Sequence, residues 1–449
     1  MEDIKKYLEE IKPEFIASLE KALAIPSVIN EGEDGTPFGK AIDQVLDVTL
    51  QLCRDLGFDK VVKDEKGYYG YAELGSGEEL VGILGHLDVV PPGNLDLWNN
   101  PPFEPIIKDN KLYARGAMDD KGPMYAALYA VKALLNAGVT FNKRVRFIFG
   151  TDEENLWRCM NRYIEIEEKP TIGFTPDSAF PLVYAEKGLL QFKLSGKGAD
   201  IGLDIELGKA LNAVPDLASY SGDKLDELEA ALKARGFDYD VKDGEITTHG
   251  KSVHAKKTDQ GINAIIRLVT GLSDIGYKSD VINFVVDEIG QDPYAKNIFG
   301  DLEDDMSGKL MFNIGKVQVN KDVQSVTVDV RFPVTSEKDA IVADIKKAAA
   351  KFNLDYEQVD FLKAIYVPKD SFLITTMMAV YQEVTGDTTS EPISSGGATY
   401  ARAMDNFVAF GANYPGDATT EHQPNEVADL ARMDTTMEIY AKTIYKLTR

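Results

Sequence analysis

The stretch Leu80-Val81-Gly82-Ile83-Leu84 reads as a strand, and it runs directly into Gly85-His86-Leu87-Asp88. A histidine placed there matters because open α/β sheets build their sites at the carboxyl ends of strands. The arrangement recurs along the chain. The strand-like run 144–149 (R-V-R-F-I-F) leads into Gly150-Thr151-Asp152-Glu153-Glu154, and 171–174 leads into Thr175-Pro176-Asp177. Residues 407–410 lead by a loop to Glu421-His422. Asp119 follows a shorter strand-like stretch, 111–114, and opens a helix through Asp119-Asp120-Lys121-Gly122. His86, Asp119, Glu154, Asp177 and His422 are therefore five potential metal ligands. Two imidazoles and three carboxylates can hold two divalent ions, and their nitrogen and oxygen donors suit zinc or manganese.

Around these junctions, helical and strand-like segments alternate, as an α/β sheet domain requires. Apolar residues at Ile4, Tyr7, Leu8, Ile11, Phe15, Leu19 and Leu23 form a helical stripe over 3–24 that ends at Ile25-Pro26. A second helix runs over 39–56 to Gly57, strands follow at 67–74 and 80–84, and a third helix spans 122–137. Gly75-Ser76-Gly77 lacks the lysine and following helix of a phosphate loop and reads as a tight turn.

After Glu186-Lys187-Gly188 the texture changes. Helix 224–235 with strand region 238–248, and helix 337–351 with strand region 354–367, are two similar stretches, each preceded by strand material. This predicts an inserted α+β lid domain made of a duplicated unit, over 188–368. A helix resumes at 371–384, and a C-terminal helix covers 434–447. His422 must return to meet ligands from the first half. The mixed-sheet α/β domain, with helices on both faces, is thus expected to be discontinuous, over 1–187 and 369–449.

At 449 residues the chain is too long for one ordinary core, in agreement with two domains. Its 49 basic and 73 acidic side chains give a net charge of −24, which disfavours nucleic-acid and anionic membrane partners. Cys53 and Cys159 stand in no zinc or redox spacing and read as reduced, partly buried thiols. The charged N-terminal stretch lacks the apolar core of a signal peptide, and no run approaches the ~18 apolar residues of a membrane span. The expectation is a cytoplasmic protein.

Each candidate has a plainer reading beside the chemical one. His86 could be a buried histidine bonded to a turn; as a ligand, its other ring nitrogen would be held by a carboxylate or carbonyl, which Asp88 can supply. Glu153-Glu154 could be a solvated acidic loop. If one coordinates metal, its neighbour points elsewhere and can shuttle the proton that metal-assisted hydrolysis requires. Asp119 could simply cap a helix, with Pro123 in its first turn, and Asp177 could be a turn residue. His254, in Gly250-Lys251-Ser252-Val253-His254-Ala255, lies in the middle domain, where a donor could stabilise a developing oxyanion on domain closure. His249 reads as an exposed strand or turn residue. Serine chemistry lacks its Gly-x-Ser-x-Gly motif, Ser394-Ser395-Gly396-Gly397 has no histidine near it in sequence, and neither cysteine has a nucleophile's context.

Together these residues resemble the two-zinc aminoacylase, carboxypeptidase and dipeptidase family of metallopeptidases, especially its bacterial branch of carnosinase-like Xaa-His dipeptidases. The resemblance spans nearly the whole chain. It rests on G-H-L-D-V-V-P-P-G (85–93), A-R-G-A-M-D-D-K-G-P (114–123), F-G-T-D-E-E (149–154) and T-P-D (175–177). Further on come E-K-G (186–188), L-N-A-V-P-D (211–216), G-K-S-V-H-A (250–255) and E-H-Q-P-N-E (421–426).

The resemblance implies that Asp119 bridges two divalent metal ions, zinc first, with manganese or cobalt as alternatives. His86 and Asp177 would complete one site, and Glu154 and His422 the other. It gives Asp88 a supporting catalytic role and makes Glu153 the general base in the attack of a metal-bridging water on the peptide bond of an unblocked dipeptide. Asn212, His254, Arg331 and Gly397 match substrate-contacting positions, His254 binding the tetrahedral oxygen and Arg331 gripping the free α-carboxylate by two parallel hydrogen bonds. A monomer is implied. Asn155-Leu156 departs from the family's usual Ser-Gly and would put a bulky side chain beside a ligand; Thr258 replaces a usual proline. The rivals are an N-acyl-amino-acid deacylase, of aminoacylase or succinyl-diaminopimelate desuccinylase type, and a non-catalytic metal- or peptide-binding homologue.

Overall fold

The structure, a computed structural model, describes residues 4–31 and 35–449. It divides into two compact units: Met1–Tyr184 with Tyr366–Ile393 and Thr399–Arg449, and Ala185–Ile365 with Ser394–Ala398.

The first unit is built on a mixed sheet. Among the described residues, six of its nine strands run in the order Lys60–Lys63, Gly70–Leu74, Arg144–Gly150, Leu80–His86, Ile172–Thr175 and Phe407–Ala409. The last four are mutually parallel, while the two at the edge are antiparallel. The parallel strands have no polar alternation: Leu80–His86 is buried along its whole length, as a strand covered on both faces must be. Helix Ile4–Leu23 buries Ile4, Leu8, Ile11, Phe15, Leu19 and Leu23, much of the expected stripe; residue 3 lies outside the described residues. Helix Lys40–Leu56 ends at Gly57, whose φ of 95° is the left-handed conformation that closes a helix most easily without a side chain. Helix Lys121–Asn136 is buried on nearly every side and packs against both Ile4–Leu23 and the C-terminal helix Leu430–Leu447.

Several boundaries differ from the sequence expectation. The strand predicted over 67–74 begins only at Gly70, because Asp64 draws residues 64–69 into a turn by accepting from the Lys66 and Tyr68 amides. Helix Arg158–Ile166 was not anticipated; its buried residues are only Cys159, Met160 and Tyr163, too few to show a period. The C-terminal helix starts at Leu430, four residues early, because Asp429 caps it by accepting from the Ala431 and Arg432 amides. Both cysteines are free and fully buried, more so than expected.

The second unit holds a fully antiparallel five-stranded sheet in the order Ile205–Leu207, Met311–Val319, Val323–Phe332, Gly188–Lys197, Asp355–Leu362. Helix Ala264–Asp274, also unanticipated, contributes Ile265, Leu268, Val269 and Leu272 to its core. The two stretches expected to form a repeat end differently. Asp355–Leu362 joins the large sheet, whereas Tyr239–Lys242 and Glu245–His249 pair with Leu217–Tyr220 in a separate small one. Ser394–Ala398 lies within a range expected to belong to the first domain but groups with the second unit. The Lys187 amide donates to the Ser395 carbonyl, and Arg331 Nη1 donates to the Gly396 carbonyl at 3.0 Å.

Candidate functional site

In the first unit, His86 is the last residue of Leu80–His86. Glu153 and Glu154 follow the end of Arg144–Gly150, and Asp177 follows Ile172–Thr175, so three parallel neighbours deliver side chains to one sheet edge. Asp119 arrives differently. The strand before it, Lys111–Tyr113, belongs to a small separate sheet with Ile106–Lys108 and Val427–Asp429. That small sheet joins the Asp119 loop to the loop carrying His422.

The five candidates come together. His86 Nε2 lies 3.0 Å from Asp119 Oδ1 and 3.6 Å from Asp177 Oδ2. His422 Nε2 lies 2.8 Å from Asp119 Oδ2 and 2.9 Å from Glu154 Oε1. Asp119 thus turns one oxygen to each imidazole, at the meeting point of two triads, His86–Asp119–Asp177 and Asp119–Glu154–His422. Each triad offers one nitrogen and two carboxylates, with donor atoms within 4.8 Å of one another. This donor set fits two divalent ions sharing Asp119.

Electrostatics point the same way. Burial alone would lower the His86 pKa, but Asp119, Asp177 and Asp88 drive it well above the ordinary imidazole value. Hydrogen bonds to Asp119 and Glu154 raise His422 to about 11. Burial raises Glu154 to about 7 against the pull of His422, and burial with the Asp119 charge raises Asp177. Glu153 is pushed well up by burial and by Asp177 and Glu154, with His86 opposing. Asp119 alone is lowered: burial opposes this, but both imidazoles hold its carboxylate charged. A pocket that loads protons onto its histidines and carboxyls at this density favours a multivalent cation in their place.

Around the ligands sits a layer of supporting groups. His86 Nδ1 is 2.9 Å from the Asp88 main-chain carbonyl and 3.6 Å from its carboxylate. The ring is therefore held chiefly by the Asp88 backbone, while Asp88 Oδ2 accepts from the Glu154 amide at 3.0 Å. Asp120 and Glu426 were quoted within sequence motifs but given no role. Asp120 Oδ2 accepts from the His86 amide at 3.2 Å. Only glycine at position 85 allows this approach, since a Cβ there would stand 2.4 Å from that oxygen. Glu426, fully buried, accepts from Arg115 Nη1 (2.8 Å) and from the amides of Gly116 (3.0 Å), Met118 (2.8 Å) and Asp119 (3.1 Å). It fixes the backbone that presents Asp119. Leu156 is 62% exposed and Asn155 is exposed too, so this departure from the family pattern puts no bulk against Glu154.

Asn212, His254, Arg331 and Gly397 all lie in the second unit, where they form a neighbourhood. The Asn212 carbonyl accepts from the Ala255 amide, next to His254. His254 Nδ1 accepts from the Lys256 amide at 3.1 Å, which leaves Nε2 to carry the ring proton. Partial burial, then the charges of Arg331 and Lys256, lower the His254 pKa to about 4, so the ring is neutral at pH 7 with Nε2–H as a donor. Arg331 is buried and donates twice to Asp329, at 2.6 and 3.0 Å, as well as to the Gly396 carbonyl. His249 ends a strand and pairs with Asp240 at 2.8 Å, outside this neighbourhood.

Comparison with known proteins agrees with this geometry. The model of Peptidase family M20/M25/M40 matches residues 82–446. "Putative dipeptidase YtjP" of Bacillus subtilis (strain 168) is 34% identical over 463 residues, covering 98% of this chain and 98% of that protein. Two solved structures share the fold at lower identity. The di-peptidase Dug1p from Saccharomyces cerevisiae has a TM-score of 0.61 at 15% identity, over 99% of this chain and 98% of its own. Human carnosine dipeptidase 1 has a TM-score of 0.59 at 16% identity, over 100% and 98%. Among the described residues, no helix is long and apolar enough to cross a membrane. With a hydrolytic family's model matched over most of its length, the chain belongs to peptidase family M20/M25/M40 and is a metallopeptidase.

Proposed function

We propose that this enzyme is a dipeptidase that hydrolyses unblocked dipeptides with two divalent ions, zinc before manganese or cobalt. The observation that carries the reading is the Asp119 carboxylate, with one oxygen toward His86 and the other toward His422. His86 and Asp177 would hold one ion, Glu154 and His422 the other, and Asp119 both. When bound, the ions would polarise the scissile carbonyl and acidify the attacking water. Glu153, next to the ligand Glu154 and itself within ligand reach of His86, takes the proton from that water and passes it to the leaving amine. Its tendency to hold a proton among Asp177 and Glu154 suits both halves of that transfer. His254 Nε2–H donates to the developing oxyanion. Arg331, held rigid by Asp329, turns its remaining N–H groups to the substrate α-carboxylate, with Asn212 and Gly397 completing the contacts. The relatives named as dipeptidases support this substrate class, and the free buried thiols suit a cytoplasmic enzyme, which we take to act as a monomer.

The test is turnover by zinc- or manganese-reconstituted protein on a panel of free dipeptides beside N-acetyl and N-succinyl amino acids. Dipeptide hydrolysis is expected. Activity confined to the acyl compounds would make the enzyme a deacylase, and no turnover of either would favour a binding protein.

A further inference from the structure

Arg331 is an incomplete carboxylate receptor. Its two bonds to Asp329 form an ion pair whose net charge is zero. A fixed ion pair orients an incoming carboxylate but attracts it weakly, because the aspartate behind cancels the long-range field of the guanidinium. Another cation has to supply the attraction.

Lys256 is in position to do so. It lies two residues beyond His254, and its stem runs over the glycine pair Gly396-Gly397, whose preceding serines carry no nucleophile chemistry. A Cβ on Gly396 would stand 2.6 Å from Lys256 Cβ, and one on Gly397 would stand 3.6 Å from Lys256 Nζ. The side chain missing at Gly396 makes room for the lysine, and Gly397 lies at ordinary contact distance from its ammonium. The same turn offers the Gly396 carbonyl to Arg331 Nη1 at 3.0 Å, so the ammonium and the guanidinium flank one short stretch of backbone. The carboxylate that acts on Lys256 is Glu186, which favours its charged form but does not outweigh the groups opposing it. Burial, then Lys257 and Arg331, lower its affinity for a proton, the mark of a cation held near like charges. Arg331 and Lys256 both act on the His254 ring as well, so the three bases share one field.

We propose that Lys256 is the charge-supplying member of the carboxylate subsite, binding the free α-carboxylate of the substrate together with Arg331 and setting the preference for a free C-terminus. This rests on the dipeptidase reading given above. It makes Lys256 a specificity residue, with its effect in KM rather than kcat.

The test compares Ala-Leu with its C-terminal amide. Binding is measured by calorimetry on zinc-loaded protein carrying Glu153→Gln to slow turnover, and KM and kcat are measured on the zinc-loaded protein without that change. Lys256→Met is expected to weaken Ala-Leu binding and raise its KM by roughly tenfold, the size of one lost charge-assisted hydrogen bond. The amide should be unaffected, and Lys256→Arg should retain most of the discrimination. Equal losses for both peptides, an unchanged affinity for Ala-Leu, or no difference between the two peptides before substitution would each overturn the proposal. If the protein binds Ala-Leu better than the amide but never hydrolyses it, the dipeptidase reading fails while the subsite stands.

Discussion

The first unit crowds acids and the second crowds bases, and each crowd shifts its members against their ordinary behaviour. In the first, Glu153, Glu154 and Asp177 are pushed up because burial and neighbouring carboxylates penalise another negative charge. In the second, His254 and Lys256 are pushed down because burial and neighbouring cations penalise another positive one. Each cluster stores like-charge repulsion that a ligand of opposite sign relieves: cations for the acids, a carboxylate for the bases. The supports differ as well. Asp119 is set by four donors to one buried glutamate, whereas Arg331 is set by a side-chain ion pair and a single carbonyl.

The largest expected break in this contrast is Glu153→Gln. A carboxamide cannot accept the proton from water, so kcat on a free dipeptide should fall by roughly 10²–10⁴. Metal content should stay at two ions per chain, since glutamine leaves the two triads intact. Both Glu153 and Glu154 lie within ligand reach of His86, which gives the measurement its force. If elemental analysis found one ion lost, Glu153 would be a ligand and the roles of the pair would exchange.

A smaller effect is expected from Glu426→Gln, which touches no proposed ligand side chain. The amide nitrogen would face backbone donors at Gly116, Met118 or Asp119, and the buried Arg115 would lose its ionic partner. Breaking a buried pair in this way costs about 3–5 kcal/mol, to be read as a lowered unfolding midpoint of the metal-free protein. With the Asp119 backbone loosened, metal affinity should drop by about 10–100-fold. Full retention of both would show that the Lys111–Tyr113 and Val427–Asp429 pairing holds the loop by itself.

What could be read in the sequence follows the same divide. His86, Glu154 and Asp177 were legible because each stands within a few residues of a strand end, so a local pattern located a long-range site. Asp119 and His422 were found as residues, and the strand before Asp119 was read, but its partner Val427–Asp429 was not, since a strand of three residues leaves no periodic trace. Glu426 acts on a segment more than 300 positions away, and Lys256 depends on a glycine about 140 positions away, Gly396; nothing around either residue signals its partner. The sequence leaves open whether the carboxylate or the carbonyl of Asp88 supports the ring; the fold brings the carbonyl closer, at 2.9 Å against 3.6 Å.

The mildest prediction concerns His254 and sharpens the contrast without disturbing either cluster. Its pKa of about 4 reflects partial burial and the charges of Arg331 and Lys256. A carboxylate bound among these groups offsets both cations, so the imidazolium becomes easier to form and the pKa should climb toward the ordinary 6.5, by on the order of one unit. By linkage, proton and carboxylate then assist each other. Affinity for the carboxylate should increase as pH falls from the bound-state pKa toward the free-state one, and level off below both. An NMR titration of the zinc-loaded Glu153→Gln protein, with His254 assigned by its loss in His254→Gln, should show the upward shift with Ala-Leu and none with Ala-Leu amide. A ring that titrates identically with and without Ala-Leu would mean that the carboxylate does not enter the shared field of these bases.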